Sequence, residues 1–168
     1  PGVVADWLAG IEPGAEISLY AHIPFCRRLC WFCACRTQGT STLGPVEAYV
    51  RTLLQELEIV GSALPDGVKL SRLHWGGGTP TLLNPSLIET LSHSIYQTAP
   101  LARDAEFSIE IDPNEIDRDR IDALAFAGMN RASIGVQDFD EEVQEIIGRS
   151  QSFDITRDVI ALVLGGGR

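Results

Sequence analysis

Apolar and polar positions change their period several times along the chain, and the changes fall into a rhythm. A short run from Ile17 to His22 reads as a strand, and Val46 to Val60 places Val46, Tyr49, Val50, Leu53, Leu54 and Leu57 at helical spacing. A second strand is expected over Lys69 to Trp75. It is followed by a helix over Pro85 to Tyr96, with Asn84 as its cap and Pro85 in first position. Glu106 to Asp112 alternates strictly and stops at Pro113, the clearest strand of the set. A helix from Arg118 to Ala127 follows, with Asp117 as cap and Gly128 as stop. A fourth strand, Arg131 to Val136, leads into a helix from about Asp140. Strand and helix in alternation imply an α/β fold: a parallel sheet with right-handed crossovers and about four strand–helix units.

In such a fold the loops leaving the strand C-termini gather on one face. The unusual residues fall there. A cysteine run follows strand one and Gly76-Gly77-Gly78 follows strand two. Glu110 and Asp112 close strand three, and Gln137 and Asp138 follow strand four. Four units amount to half of a barrel of about 250 residues. The remainder is expected to lie outside this sequence, because Pro1 opens it, Met129 is its one methionine, and helical pattern gives way to glycines over Leu162 to Arg168.

Composition narrows the picture. At 168 residues and 45% hydrophobic content the chain can bury one sizeable core. A net charge of −10 without a basic stripe excludes a nucleic-acid surface. An anionic ligand would have to meet Arg27, Arg28, Arg131 or Arg149. No apolar run approaches the ~20 residues of a membrane span, and Pro1 to Gly10 lacks a signal peptide's basic start. Clustered cysteines without distant partners then point to the reducing cytoplasm.

Cys26, Cys30, Cys33 and Cys35 are the chain's four cysteines, and the first three are spaced C-x-x-x-C-x-x-C. Three thiolates from one loop suit three corners of an iron–sulfur cubane, leaving one iron open to a second molecule. The alternatives are a zinc knuckle, which ordinarily draws on a second Cys/His pair, and redox thiols. Gly76-Gly77-Gly78-Thr79 leaves backbone polar groups bare for the charged end of a ligand, or forms a tight turn. Glu110 lies opposite Phe107, Ile109 and Ile111 on its strand, facing a lumen with a cationic partner or facing solvent. Tyr20 and Phe32 flank the cysteines and suit either an aromatic ligand or the core. Gln137 and Arg149 offer donors to a carboxylate or ribose. His22, His74 and His93 have no mutual ligand spacing.

Tyr20-Ala21-His22-Ile23-Pro24-Phe25-Cys26, the further cysteines 30, 33 and 35, and His74-Trp75-Gly76-Gly77-Gly78-Thr79-Pro80 resemble the radical S-adenosylmethionine enzymes. The likeness is to the oxygen-independent coproporphyrinogen III oxidase family, from about Leu19 to Gln151. A sister group of radical-SAM-like haem chaperones shares most of these motifs. Ala34-Cys35, Ile109 to Pro113, and Asp138 within Gly135 to Phe139 resemble the oxidases instead. The resemblance implies a partial TIM-like radical SAM barrel, with residues 1–16 as an N-terminal extension and the later barrel units and accessory domain absent.

It further implies a [4Fe–4S] cluster on Cys26, Cys30 and Cys33, with Cys35 not a ligand. Tyr20, Gly77 and Glu110 match contacts to a first S-adenosylmethionine, and Phe32, Gly78, Thr79, Gln137 and Arg149 match contacts to a second. The implied reaction is reductive cleavage of S-adenosylmethionine to a 5′-deoxyadenosyl radical. The radical then drives oxidative decarboxylation of coproporphyrinogen III propionates to vinyls, giving protoporphyrinogen IX. The implied partners are the tetrapyrrole and an electron donor, with a monomer at full length. A haem chaperone and an inactive remnant are the competing readings.

Without further units, strand four presents an unpaired edge and the helices lack cover. Residues 1–168 alone are therefore expected to self-associate in analytical ultracentrifugation; a monodisperse, cooperatively melting monomer would contradict this.

Overall fold

The computed structural model describes residues 2–165. After a short helix α1 (Gly2–Ala9) come β1 (Glu16–Ile23), the two-residue strands β2 (Phe25–Cys26) and β3 (Gln38–Gly39), and α2 (Gly44–Ala63). Then follow β4 (Lys69–Gly77), α3 (Pro85–Thr98), β5 (Leu101–Ile111), α4 (Arg118–Phe126), β6 (Arg131–Ile134), α5 (Glu141–Ile147) and α6 (Phe153–Gly165). The main sheet runs β1-β4-β5-β6, all neighbours parallel, so its strands succeed one another in the order in which the chain makes them.

The two faces of this sheet differ in chemistry. Leu73, Trp75, Phe107 and Ile109 are fully buried on one face, against helices that turn apolar stripes inward. Val46, Val50 and Leu57 do so from α2, Ile88, Leu91 and Ile95 from α3, and Ile121 and Leu124 from α4. The opposite face is polar, because side chains alternate along a strand. Tyr20, His74, Ser108 and Arg131 stand in register across all four strands. His22 pairs with Gly76, and Glu110 with Ser133, one step nearer the strand ends.

Local chemistry sets the helix ends. The side chains of Asn84, Asp117 and Asp140 accept hydrogen bonds from Leu87 N (2.9 Å), Arg120 N (2.9 Å) and Glu142 N (2.9 Å), each occupying a donor the first helical turn leaves free. At the far end of α5, Gly148 adopts φ +69°, and Arg149 N donates to Gln144 O at 2.9 Å, closing the helix.

Several expectations need correction. β6 ends at Ile134 rather than Val136, because Gly135 turns its carbonyl to Arg149. The helix expected from about Asp140 is α5, capped by Asp140; it ends at Gly148, and a further helix, α6, follows. Helical structure continues from Leu162 through Gly165; the rest of the glycine tail, 166–168, lies outside the described residues. Arg131 is engaged by Glu106 at 3.1 Å on the exposed part of the sheet and is not free for an anion. The helix α1 had no signal in the pattern; Leu8 is its one buried residue.

Tyr96 gives the fold an alkaline limit. Its hydroxyl donates to Ala127 O just past the end of α4, and burial pushes its pKa up from 10.0 to about 12. Above pH 10 the unfolded chain loses this proton while the folded chain keeps it, so stability falls as pH rises towards about 12. Denaturant titrations of Tyr96→Phe are expected to show a flatter loss over that window. At neutral pH the variant should be weaker by about 0.5–1.5 kcal/mol for the missing hydrogen bond.

Candidate functional site

The site forms where β1, β4, β5 and β6 end. Pro24 O accepts from Gln38 N at 2.8 Å and Cys26 O from Thr40 N at 2.9 Å, so β2 and β3 pinch together the two ends of the cysteine loop. At the end of β4, Gly78 N donates to Ile23 O (2.8 Å) and Thr79 N to Phe25 O (2.7 Å), bringing the glycine turn against the loop's first strand.

The three glycines differ in why they are glycines. A Cβ on Gly78 would lie 2.5 Å from Phe25 O and 2.8 Å from Phe25 N, a backbone that has no room to yield. Gly77 has φ +112°, and its Cβ would lie 2.6 Å from the His22 ring. Gly76 lies under the Glu110 carboxyl, 3.1 Å from where a Cβ would stand, and His74 Nε2 is 2.9 Å away.

A cleft of about 260 Å³ opens between these elements. The cysteine loop contributes Cys26, Cys30, Phe32, Cys33 and Cys35, and the β4 turn contributes Gly77, Gly78 and Thr79. The opposite wall holds Glu110 and Asp112 from the end of β5, Gln137 from beyond β6, and Arg149. Of the eleven residues that the family resemblance matched to cluster or cofactor contacts, Tyr20 alone is not on the cleft wall.

Tyr20 instead anchors a polar row on the sheet. Its ring stacks on His74 (centroids 5.6 Å apart, 14° between planes) and its hydroxyl is 2.9 Å from His22 Nδ1. His22 Nε2 meets Arg36 O at 3.0 Å; a carbonyl only accepts, so this nitrogen carries the proton and the Tyr20 hydroxyl donates to Nδ1. Burial, then the nearby charges of Glu110 and Cys35, raise the Tyr20 pKa, so the phenol stays protonated. His74 Nδ1 bonds Ser108 Oγ at 2.7 Å, and its Nε2 lies 3.6 Å from Glu110. His22 and His74, given no role from sequence, thus link Tyr20, Glu110 and the cysteine loop. Register across parallel strands makes this link, and no single-strand pattern displays it.

Glu110 stands on the polar face of the sheet with its side chain 45% exposed, and its Oε2 accepts from Gly77 N at 3.0 Å. Gly77's backbone donor is therefore taken by protein rather than bare. Arg149 reaches Gly135 O at 3.0 Å, Asp112 at 3.6 Å and Cys30 Sγ at 3.8 Å, carrying positive charge to the loop. Arg27 is turned away towards Glu115 (3.7 Å) and Thr40 O (3.2 Å).

Among the described residues, no three His, Cys, Asp or Glu side chains are arranged around a single metal ion. The cysteine donors fit a cluster on electrostatic grounds. Burial raises the Cys26 pKa, Thr79 lowers it through a hydrogen bond, and Cys33 and Cys30 raise it again. Three thiolates in one cleft repel one another, and iron bound at each relieves that repulsion.

An α/β chain with this strand order and three cysteines on the loop after its first strand is defined as a class by its matches. The family model for the Radical SAM superfamily matches residues 20–167, and the chain belongs to that superfamily. Membership implies a [4Fe–4S] cluster and S-adenosylmethionine as cofactors.

More particularly, the chain is 60% identical over 165 residues to oxygen-independent coproporphyrinogen III oxidase of Paracoccus denitrificans, covering 98% of this chain and 37% of that protein. It is 45% identical over 139 residues to the Escherichia coli enzyme of that name, covering 83% of this chain and 30% of the relative. The solved structure of coproporphyrinogen III oxidase (HemN) from Escherichia coli, a radical SAM enzyme, matches with TM-score 0.90 at 37% identity. That match covers 98% of this chain and 37% of the other. The chain thus spans about a third of the length of these relatives. The partial radical SAM barrel expected from sequence is the fold found.

The glycine turn yields a graded test. Gly78→Ala, meeting rigid backbone, is expected to cost about 1–3 kcal/mol and to lower the melting midpoint clearly. Gly44→Ala, with nothing within 4 Å of the added methyl, should leave the midpoint unchanged or raise it. Equal effects in thermal melts would show that the approach to Phe25 is not the constraint.

Proposed function

We propose that residues 1–168 form the N-terminal portion of the radical SAM core of an oxygen-independent coproporphyrinogen III oxidase. The reaction is oxidative decarboxylation of coproporphyrinogen III propionates to vinyl groups, yielding protoporphyrinogen IX in anaerobic haem biosynthesis. One observation carries the reading: ten of the eleven residues that match the oxidase family's cofactor contacts line a single cleft at the strand ends. Identity of 60% to the Paracoccus enzyme supports it.

In this reading Cys26, Cys30 and Cys33 hold the [4Fe–4S] cluster. Tyr20, Gly77 and Glu110 contact one S-adenosylmethionine, and Phe32, Gly78, Thr79, Gln137 and Arg149 contact a second. When bound there, the cluster and S-adenosylmethionine would supply reductive radical chemistry able to take hydrogen from a propionate side chain. The protein's own part is placement and charge. Glu110 fixes the glycine turn through Gly77 N and leaves its second oxygen for a ligand ammonium. Arg149 and Arg28 bring positive charge to a cleft that Glu110 and Asp112 line with carboxyl groups. His22, protonated on Nε2, holds the far end of the cysteine loop through Arg36 O.

The partners are the tetrapyrrole and an electron donor, the full-length protein acts as a monomer, and its compartment is the cytoplasm. No helix among the described residues is long and apolar enough to cross a membrane.

The test uses the full-length protein reconstituted without oxygen and reduced. Cys30→Ala is expected to lose the cubane signal in electron paramagnetic resonance, whereas Cys35→Ala keeps about four irons per chain and a signal that changes when S-adenosylmethionine is added. Consumption of coproporphyrinogen III should follow the cluster. A cluster that survives Cys30→Ala, or a wild-type signal indifferent to S-adenosylmethionine, would overturn the reading.

A further inference from the structure

Two glutamines, Gln144 on α5 and Gln151 in the turn between α5 and α6, are buried where the sequence pattern reads as surface: Gln144 is 8% exposed and Gln151 is 3% exposed. A buried amide is costly unless its donors and acceptor find partners. Here each does. Gln144 Nε2 donates to Asp138 O (2.8 Å) and Gln151 O (2.7 Å), and its Oε1 accepts from Gln151 N (2.8 Å). Gln151 Nε2 donates to Thr156 Oγ1 at 3.0 Å, and its Oε1 accepts from Arg149 Nε at 3.2 Å.

That last bond reaches the cleft. With Nε held by Gln151, the Arg149 guanidinium has its remaining nitrogens on Gly135 O, Asp112 and Cys30 Sγ. The same turn grips the cysteine loop directly. Trp31 N donates to Ile147 O at 3.0 Å, and the Trp31 indole occupies the space a Cβ on Gly148 would need, 2.7 Å from its Cδ1. A long arginine has many rotamers; a fixed acceptor on Nε selects one and lowers the ordering cost of whatever anion it meets.

We propose that Gln151, locked by Gln144, is a positioning residue that sets Arg149 for the carboxylate of S-adenosylmethionine in this cleft. The proposal rests on the cofactor reading above. Its probe is binding of isotope-labelled S-adenosylmethionine to the reconstituted full-length protein, alongside iron content and thermal midpoint. Gln151→Leu is expected to keep its iron and to weaken binding about tenfold at the site that Arg149→Leu also weakens. Gln151→Glu, which retains an acceptor for Arg149, should restore affinity to within about threefold of wild type.

Thr156→Val separates this role from a structural one. It removes the other partner of Gln151 and should lower the melting midpoint while leaving affinity unchanged. If Gln151→Leu binds as wild type does, or if Thr156→Val weakens binding equally, positioning is overturned. A wild-type protein that binds no S-adenosylmethionine fails the cofactor reading itself, which the paramagnetic signal reports independently.

Discussion

The site depends on one close approach of backbone to backbone, where the end of β4 passes the start of the cysteine loop. Gly78 N and Thr79 N hand their hydrogens to Ile23 O and Phe25 O, and no side chain fits between. This contact ties two consecutive strand–helix units together outside the sheet, where the ladder has already ended. The loop's position, the cleft's width and the lean of Glu110 over Gly76 follow from it. Backbone contacts of this kind tolerate no repacking, unlike contacts between side chains, which rotate.

The division of labour between the sheet's faces explains why the rest of the molecule can be ordinary. Apolar side chains on the helical face supply cohesion through leucine, isoleucine and aromatic burial. The polar face contributes little burial and instead places Tyr20, His22, His74, Ser108 and Glu110 in two adjacent rows. Because the strands follow chain order, neighbours within a row come from successive units. Each unit adds one or two functional groups without disturbing those already set.

Much of this was legible in the sequence because its signals are local. Alternation in Glu106 to Asp112, the caps Asn84 and Asp117, and the cysteine spacing each depend on a few neighbouring residues. What escaped was decided at a distance. The shortening of β6 follows from Arg149 taking the Gly135 carbonyl fourteen residues away. The helix expected from about Asp140 comes with no end, and its stop at Gly148 depends on a left-handed residue and on Arg149 N reaching Gln144 O. The burial of Gln144 and Gln151 arises from partners seven residues apart that meet only once the turn has formed. The histidines of the polar row gain their meaning from strand register, and α1, with Leu8 alone buried, had no periodic stripe to read.

The paired strands β2 and β3 carry a consequence for variation. They close the neck of the cysteine loop, so the chain between Cys26 and Gln38 is a ring held at its neck and again at Trp31, by Ile147 O, and at Arg36, by His22. Closing a flexible ring costs only slightly more as it grows, about 0.6 kcal/mol per doubling of length. Insertions within the ring therefore leave the sheet almost untouched, while a single residue added at the neck shifts every hydrogen bond that joins it to β4. Added length is borne between Cys35 and Gln38 rather than among the cysteines, whose spacing the site needs, and the base of the loop bears none.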